Sequence, residues 1–94
     1  MSGRHALLLH PRDDVAVALQ ALRAGRECSV AGAGEAQSLM VAENVPACHK
    51  IALRDMPAGT VVHKYGEAIG VAMTAIRRGS HVHIHNLASR RARG

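Results

Sequence analysis

The sequence predicts a mainly β fold, and two observations carry this prediction. Apolar residues alternate with other residues before each copy of a short motif, and each copy ends in a glycine that leads into a new extended run. Alternation with a period of two is typical of strands, and a glycine between two extended runs is typical of a turn. A chain of 94 residues has room for one modest core, so we expect one small domain.

The motif has the form A-[LM]-x-x-[LMI]-x-x-G and occurs at residues 18–25, 52–59 and 72–79. A helix that begins after Asp14 would also suit the first copy. Pro57, however, lies inside the second copy, where it would break a long helix. We therefore predict strand, turn and strand three times over, with short helical turns and no long helix.

The elements follow the chain in a simple order. Extended runs are predicted at residues 15–19, 27–30, 51–53, 60–62, 69–73 and 81–85. The segment 29–47 is the least regular and contains turns at 31–35 and 44–47. No linker or low-complexity segment divides the chain, so we expect a single domain over 1–94, with a core at about 6–87 and a basic tail at 88–94.

The composition narrows the function classes. Hydrophobic residues make up 48% of the chain, yet there is no Phe or Trp, and the formal net charge is +5. Few aromatic side chains are available to stack on bases, so we disfavour nucleic-acid binding, which the basic tail would have to carry. Neither a membrane-spanning run nor a signal peptide is evident. We expect a cytoplasmic protein in which Cys28 and Cys48 are reduced thiols.

Three histidines, His81, His83 and His85, alternate along one predicted strand and precede Asn86. Strand geometry turns their imidazoles to one face and turns Val82, Ile84 and Leu87 mainly to the other. Imidazole binds metal ions and exchanges protons near neutral pH. Neighbours on one strand face lie about 7 Å apart, so one ion could bridge two of them, and three would require a bend. Carboxylates or another chain could complete the shell.

Two further segments offer polar groups to a ligand. Lys64, Tyr65 and Glu67 surround a turn that contains Gly66, and they supply a cation, a phenol and a carboxylate close together. The pair His49–Lys50 begins the strand that enters the second copy of the motif, and a lysine beside a histidine can bind an anion. A positive field would suit a small anionic substrate.

Four blocks of residues together resemble a known family. They are D-V-A-V-A at 14–18, H-K-I-A-L at 49–53, K-Y-G-E-x-I-G at 64–70 and G-x-H-V-H-x-H-N at 79–86. In this order they resemble the SAF-type (β-clip) domain of the altronate/galactarate dehydratase family. They are also similar to the small subunit of sulfolactate sulfo-lyase in that family. The resemblance covers about residues 6–87 and implies a β-clip fold with long bent strands.

The resemblance also implies site roles and a cofactor. Catalytic roles fall to His83, His85 and Tyr65, substrate contacts to His49, Lys50, Lys64 and Asn86, and metal ligation to His81, His83 and His85. The implied cofactor is a divalent metal, with Fe²⁺ favoured for the dehydratases. The implied substrate is a small hydroxylated or sulfonated acid from which water or sulfite is eliminated.

The large catalytic region of these dehydratases is not recognisable in this sequence. We therefore expect the chain to be the small subunit of a two-chain lyase, inactive without its large catalytic subunit, and self-association into a homo-oligomer stays open. The alternative is a stand-alone, non-catalytic β-clip module that binds an anionic carbohydrate or a protein partner. Activity of a mixture with the large chain would distinguish the two hypotheses.

Overall fold

Strands form all the regular structure that the computed structural model describes, which covers residues 4–89. In chain order they are β1 (Ala6–Leu8), β2 (Val15–Ala18), β3 (Glu27–Gly32), β4 (Gln37–Met40), β5 (Lys50–Ala52), β6 (Val61–Lys64), β7 (Glu67–Ala72), β8 (His81–Val82) and β9 (Leu87–Ser89). The prediction of a mainly β fold is confirmed. Within residues 4–89 the predicted helical turns are bends and tight turns, and none is a helix.

These strands form two sheets whose pairings are mainly antiparallel. The larger has the order β4-β3-β1-β2-β5-β8, and the smaller has the order β6-β7-β9. Only the pairing of β1 with β3 is parallel among the strand pairs between residues 4 and 89. The pairing of β5 with β8 matters most for function, because it brings the segment after Cys48 beside the segment after Gly79.

The core consists of two apolar clusters, and the central strands serve both. Val15 of β2 and Ala52 of β5 belong to one cluster, whereas Ala16 and Ile51 belong to the other. Successive side chains of a strand point to opposite faces, so neighbouring residues enter different clusters. Small side chains let the backbones approach closely: a Cβ atom on Gly70 would clash with the Ala88 carbonyl oxygen.

Three predictions from the sequence concern the basic tail, the two cysteines and membrane-spanning segments. Ala88 and Ser89, assigned to the basic tail, lie in strand β9, and the remainder of that tail, residues 90–94, lies outside the described residues. Cys28 is buried and Cys48 is exposed, and both are free, as predicted. Between residues 4 and 89, no helix has the length and apolar character needed to cross a membrane.

The repeated motif forms a strand end, a buried bridging residue and a glycine turn. The bridging residues Met56 and Ile76 exchange two backbone hydrogen bonds, at 2.7 and 2.8 Å between N and O. Leu22, in the first copy, makes the same exchange with Val45, at 2.8 and 2.9 Å. Val45 lies in a fourth unit, residues 41–48, of which the sequence predicted only a turn at 44–47 within an irregular segment. The four units therefore form two equivalent pairs.

The fourth unit was missed because Cys48 stands where the other units have glycine. Its φ is +72°, close to the +85°, +91° and +89° of Gly25, Gly59 and Gly79. The left-handed conformation is costly for a residue with a Cβ atom. The turn nevertheless forms, because its backbone is held by the Cys48 N–H, which donates to the Ala18 carbonyl oxygen at 2.8 Å.

Replacing Cys48 by glycine is expected to stabilise the protein. Relief of the left-handed strain stabilises the folded state, and the greater entropy of glycine stabilises the unfolded state by a smaller amount. The free energy of unfolding should therefore rise by about 0.5–1 kcal/mol. Thermal unfolding in reducing buffer measures this as a melting temperature raised by a few degrees. The matched control is Gly25→Ala, whose added Cβ atom has no heavy atom within 4 Å, so it should lose about 1 kcal/mol through φ alone. A lower melting temperature for Cys48→Gly would refute this account.

Candidate metal centre and anion cleft

Three imidazoles meet where β5 and β8 pair. His49 immediately precedes β5 and His81 begins β8, and the register aligns Ile51 with His81. The Nδ1 atom of His49 lies 2.8 Å from the Nε2 atom of His81. The rings of His49 and His83 are stacked, with centroids 3.9 Å apart. One nitrogen from each of the three residues falls within a group 4.8 Å across, which is the spacing of potential metal ligands.

The prediction that residues 81–85 form one strand is wrong, and Asn86 is the reason. Strand β8 ends at Val82, and the chain then turns through residues 83–86. The Asn86 Oδ1 atom accepts the His83 N–H at 3.0 Å, and its Nδ2 atom donates to the His81 carbonyl oxygen at 2.8 Å. Asparagine side chains that bond nearby backbone compete with strand pairing in this way. Asn86 is buried and positions the imidazoles.

The turn changes which side chains share a face. Val82 is fully buried, whereas Ile84 is 81% exposed, so the predicted common face of these two residues does not exist. His85 is exposed on the turn, with its ring centroid 5.0 Å from that of His81. Of the predicted ligand set, His81 and His83 belong to the group of three, and the third member is His49 rather than His85.

The environment lowers the pKa of two members of the cluster, His81 and His83. Burial lowers the pKa of His81, and the adjacent imidazoles lower it further, against an opposite effect of Glu43. Burial also lowers the pKa of His83, and the charges of His49 and Lys50 add to this effect. A neutral imidazole has a free lone pair, which a metal ion or a proton can use.

The chemistry of the donors fits a divalent metal ion. His83 Nδ1 is buried and has no hydrogen-bond partner among residues 4–89, which is costly for a polar atom. A bound ion, or a polar ligand group, would satisfy it. Imidazole donors suit several transition metals, iron and zinc among them. A carboxylate also contacts this cluster: the Glu43 Oε2 atom accepts the His81 backbone N–H at 3.0 Å.

A cleft of about 290 Å³ adjoins the cluster and shares His83 with it. Its lining residues are Lys50, Lys64, Ile69, His83, Ile84, Leu87 and Ser89. None of them is acidic, so the cleft is positively charged and partly apolar. Burial lowers the pKa of Lys50, and the charge of Lys64 lowers it further. Of the residues predicted to contact substrate, Lys50 and Lys64 line this cleft, and His49 belongs to the adjoining group of imidazoles.

Tyr65 lies apart from this cleft, at the tip of the hairpin between β6 and β7. It is 72% exposed and adopts a φ of +56°, beside Gly66 at +77°. The buried carboxylate of Asp13 accepts the N–H groups of both residues, at 2.6 and 2.9 Å. Asp13 therefore holds the hairpin turn, and the catalytic role assigned to Tyr65 stays a prediction.

Asp14 is a second buried carboxylate with a structural role, and the sequence did not indicate that role. Its side chain is 3% exposed and forms an ion pair with Arg54. Its Oδ2 atom accepts the His63 backbone N–H at 2.8 Å and lies 3.1 Å from His63 Nδ1. Through these contacts Asp14 ties β6, which carries Lys64, to the larger sheet. The partners lie 40 and 49 residues away, so no local spacing reveals them.

Comparisons with known proteins match this chain to one family of domains. The profile of the altronate/galactarate dehydratase SAF domain matches residues 4–90. Altronate dehydratase of Escherichia coli (strain K12) is 44% identical over 78 residues, which are 83% of this chain and 15% of that enzyme. The (2R)-sulfolactate sulfo-lyase subunit alpha of Chromohalobacter salexigens is 41% identical over 51 residues, 54% of each chain. Galactarate dehydratase (L-threo-forming) of Escherichia coli is 38% identical over 74 residues, 77% of this chain and 13% of that enzyme. This chain thus spans about one seventh of the length of the dehydratases that it matches.

Proposed function

Since the chain belongs to the altronate/galactarate dehydratase SAF domain family, we propose that it is the small subunit of a lyase that acts on an anionic hydroxy acid. The reaction is elimination of water from a sugar acid such as altronate or galactarate, or of sulfite from a sulfonated analogue. A large catalytic subunit on a separate chain completes the enzyme. One relative is itself named as a subunit of such a lyase, which supports this arrangement.

The single observation that carries the proposal is the position of His83. His83 belongs to the group of three imidazoles and also lines the cleft that contains Lys50 and Lys64. An acid held in the cleft through contacts with Lys50 and Lys64 would therefore lie beside the three imidazoles. An elimination needs this combination, because the carboxylate must be bound while groups next to it exchange protons.

We propose that His49, His81 and His83 hold a divalent ion, with Fe²⁺ as the candidate that the family suggests. When bound, such an ion supplies a Lewis acid that stabilises negative charge developing on the substrate. Asn86 keeps His83 in place through its two hydrogen bonds to the turn. His85 lies outside the group of three, and its exposed imidazole is free to transfer a proton.

The proposed elimination of water follows ordinary acid–base chemistry. A base takes the proton on the carbon next to the carboxylate, and the electron pair of that C–H bond forms a carbon–carbon double bond. The bond from the neighbouring carbon to its hydroxyl oxygen breaks, and the hydroxyl leaves as water after it gains a proton. His85 is our candidate for one of these proton transfers, and the lysines stabilise the acid throughout.

Elimination activity is expected only when this chain and a large chain of the same family from the same organism are combined. The assay follows loss of altronate, galactarate or sulfolactate by proton NMR, with each chain alone as a reference. His83→Ala should abolish activity of the mixture, whereas the matched change His10→Ala, outside the cluster and cleft, should leave it intact. A mixture that eliminates nothing from any of the three acids would contradict the proposal and favour a binding module without chemistry.

A further inference from the structure

We propose that the Lys50–Lys64 cleft recognises an acid with two anionic groups in preference to one with a single carboxylate. This inference rests on the proposed function and specifies its substrate class. A six-carbon dicarboxylate or a short acid that carries both carboxylate and sulfonate fits this description. A monocarboxylate of the same length does not.

The distribution of lysine is the first reason. Lys50 and Lys64 are the only lysines in the whole sequence, and every other cationic side chain apart from histidine is an arginine. Both lysines line the same cleft. A lysine ammonium is a compact point charge on a flexible stem, and an arginine presents a planar fork. Two independent point charges suit two separate anionic groups.

The second reason is that the two lysines reach the cleft from different sheets. Lys50 begins β5 of the larger sheet, and Lys64 ends β6 of the smaller sheet. Between these two walls, Ile69, Ile84 and Leu87 supply apolar surface. A ligand lying across the cleft would therefore meet one cation at each wall.

The third reason is the lack of internal counter-charges. Among residues 4–89 no ion pair involves either lysine. Glu67 stands opposite Lys64 in the hairpin register and does not pair with it. Asp13 is engaged by backbone N–H groups, and Asp14 by Arg54 and His63. Two uncompensated cations are best neutralised by a dianion.

The size of the cleft limits the ligand to a small acid. Its volume of about 290 Å³ is close to the lower end of the range for small-molecule sites. A six-carbon acid fits such a space, and a polymeric carbohydrate does not.

Two lysines make the test direct. The full 94-residue chain, with its lysine amines carrying ¹³C-methyl groups that preserve their charge, is titrated with galactarate and with altronate at low salt and with EDTA present. We expect both lysine signals to shift along one binding curve with galactarate. We expect the dissociation constant for galactarate to be about tenfold below that for altronate, the ratio that one additional charge contact of modest strength provides.

Two variants separate specific recognition from general attraction of anions. Lys64→Gln should abolish the preference and leave the two acids with similar affinity. The matched control Arg77→Gln removes one exposed positive charge outside the cleft and should leave the preference unchanged. A second variant, Lys64→Arg, keeps the charge and should retain most of the preference.

Equal affinities for the two acids, a shift of only one lysine signal, or an effect of Arg77→Gln as large as that of Lys64→Gln would each overturn the inference. Failure of the proposed function has a different signature. Selective binding of galactarate with no elimination in the two-chain mixture would leave this inference standing and refute the lyase proposal. Elimination without selective binding would do the reverse.

Discussion

Replacing His49, His81 or His83 with alanine is expected to weaken binding of a divalent ion by about 100-fold or more. Loss of a residue that only orients a metal ligand can already lower the metal affinity by up to about 100-fold. The same change at His85 is expected to weaken binding less than about threefold, which is below the roughly tenfold lower end of the range for such a residue. The reason is geometric: one nitrogen from each of the first three residues lies in a common group, and His85 is outside it.

Cobalt(II) is a suitable probe, because its visible absorption reports coordination directly, and calorimetry with Fe²⁺, Mn²⁺ and Zn²⁺ gives affinities. His10→Ala is the matched control, since that residue lies outside the cluster and accepts a hydrogen bond from the Arg12 N–H. Thermal unfolding of every variant checks whether the fold is intact. If His85→Ala weakened binding as strongly as His49→Ala, the group of His49, His81 and His83 seen in the structure would not be the ligand set.

Removal of the Asp14 carboxylate is expected to destabilise the fold more than any other single change to a charged residue discussed here. Asp14 is buried, pairs with Arg54 and accepts the His63 backbone N–H. Asp14→Ala leaves these donors without their acceptor, so we expect a loss of about 3 kcal/mol. For a domain of this size the melting temperature should fall by more than about 10 °C.

The matched control is Asp55→Ala. The Asp55 carboxylate accepts one hydrogen bond, from the Arg78 N–H at 2.8 Å, in an exposed position, so its loss should cost less than about 1 kcal/mol. Urea unfolding of both variants and the wild type gives the comparison. Equal losses for the two variants would show that the buried contacts of Asp14 do not anchor the sheets.

The Asp14 contribution should also depend on pH. Burial alone would raise the pKa of Asp14, but the His63 N–H, Arg54 and the His63 ring together lower it below its ordinary value of 3.8. A carboxyl whose pKa is lower in the folded state binds fewer protons there than in the unfolded state. Its stabilisation is therefore complete above the ordinary value and is lost as pH falls through the folded value. The gap between wild type and Asp14→Asn should shrink only in that acidic range.

Much of the fold was predictable because strand and turn signals are local. Period-two alternation and the glycine of each motif identify strands and turns within a few residues, and the structure agrees for three copies of the motif. The fourth copy escaped because Cys48 carries the same left-handed turn without glycine, so no residue type marked it. The turn at 83–86 escaped because the side chain of Asn86 closes it, and alternation of the preceding histidines favoured a strand.

The candidate site was predictable in part. His81, His83, Lys50 and Lys64 were identified from their residue types and blocks, and the structure places them together. The place of His49 in the group of three imidazoles was not foreseen, because 32 residues separate it from His81 and only the register of β5 with β8 joins them. Asp13 and Asp14 act on residues about fifty positions away, which no local pattern can report.

The sequence by itself determined the class of fold, the turn positions that glycine marks, the family blocks and the restriction of lysine to two positions. These properties depend on the local preferences of residues and on their identity alone. Only the tertiary structure decided which imidazoles converge, which carboxylates are buried and which walls carry the two lysines. Those facts arise from pairing between distant strands, where backbone hydrogen bonds and core packing, rather than neighbouring residues, set the distances.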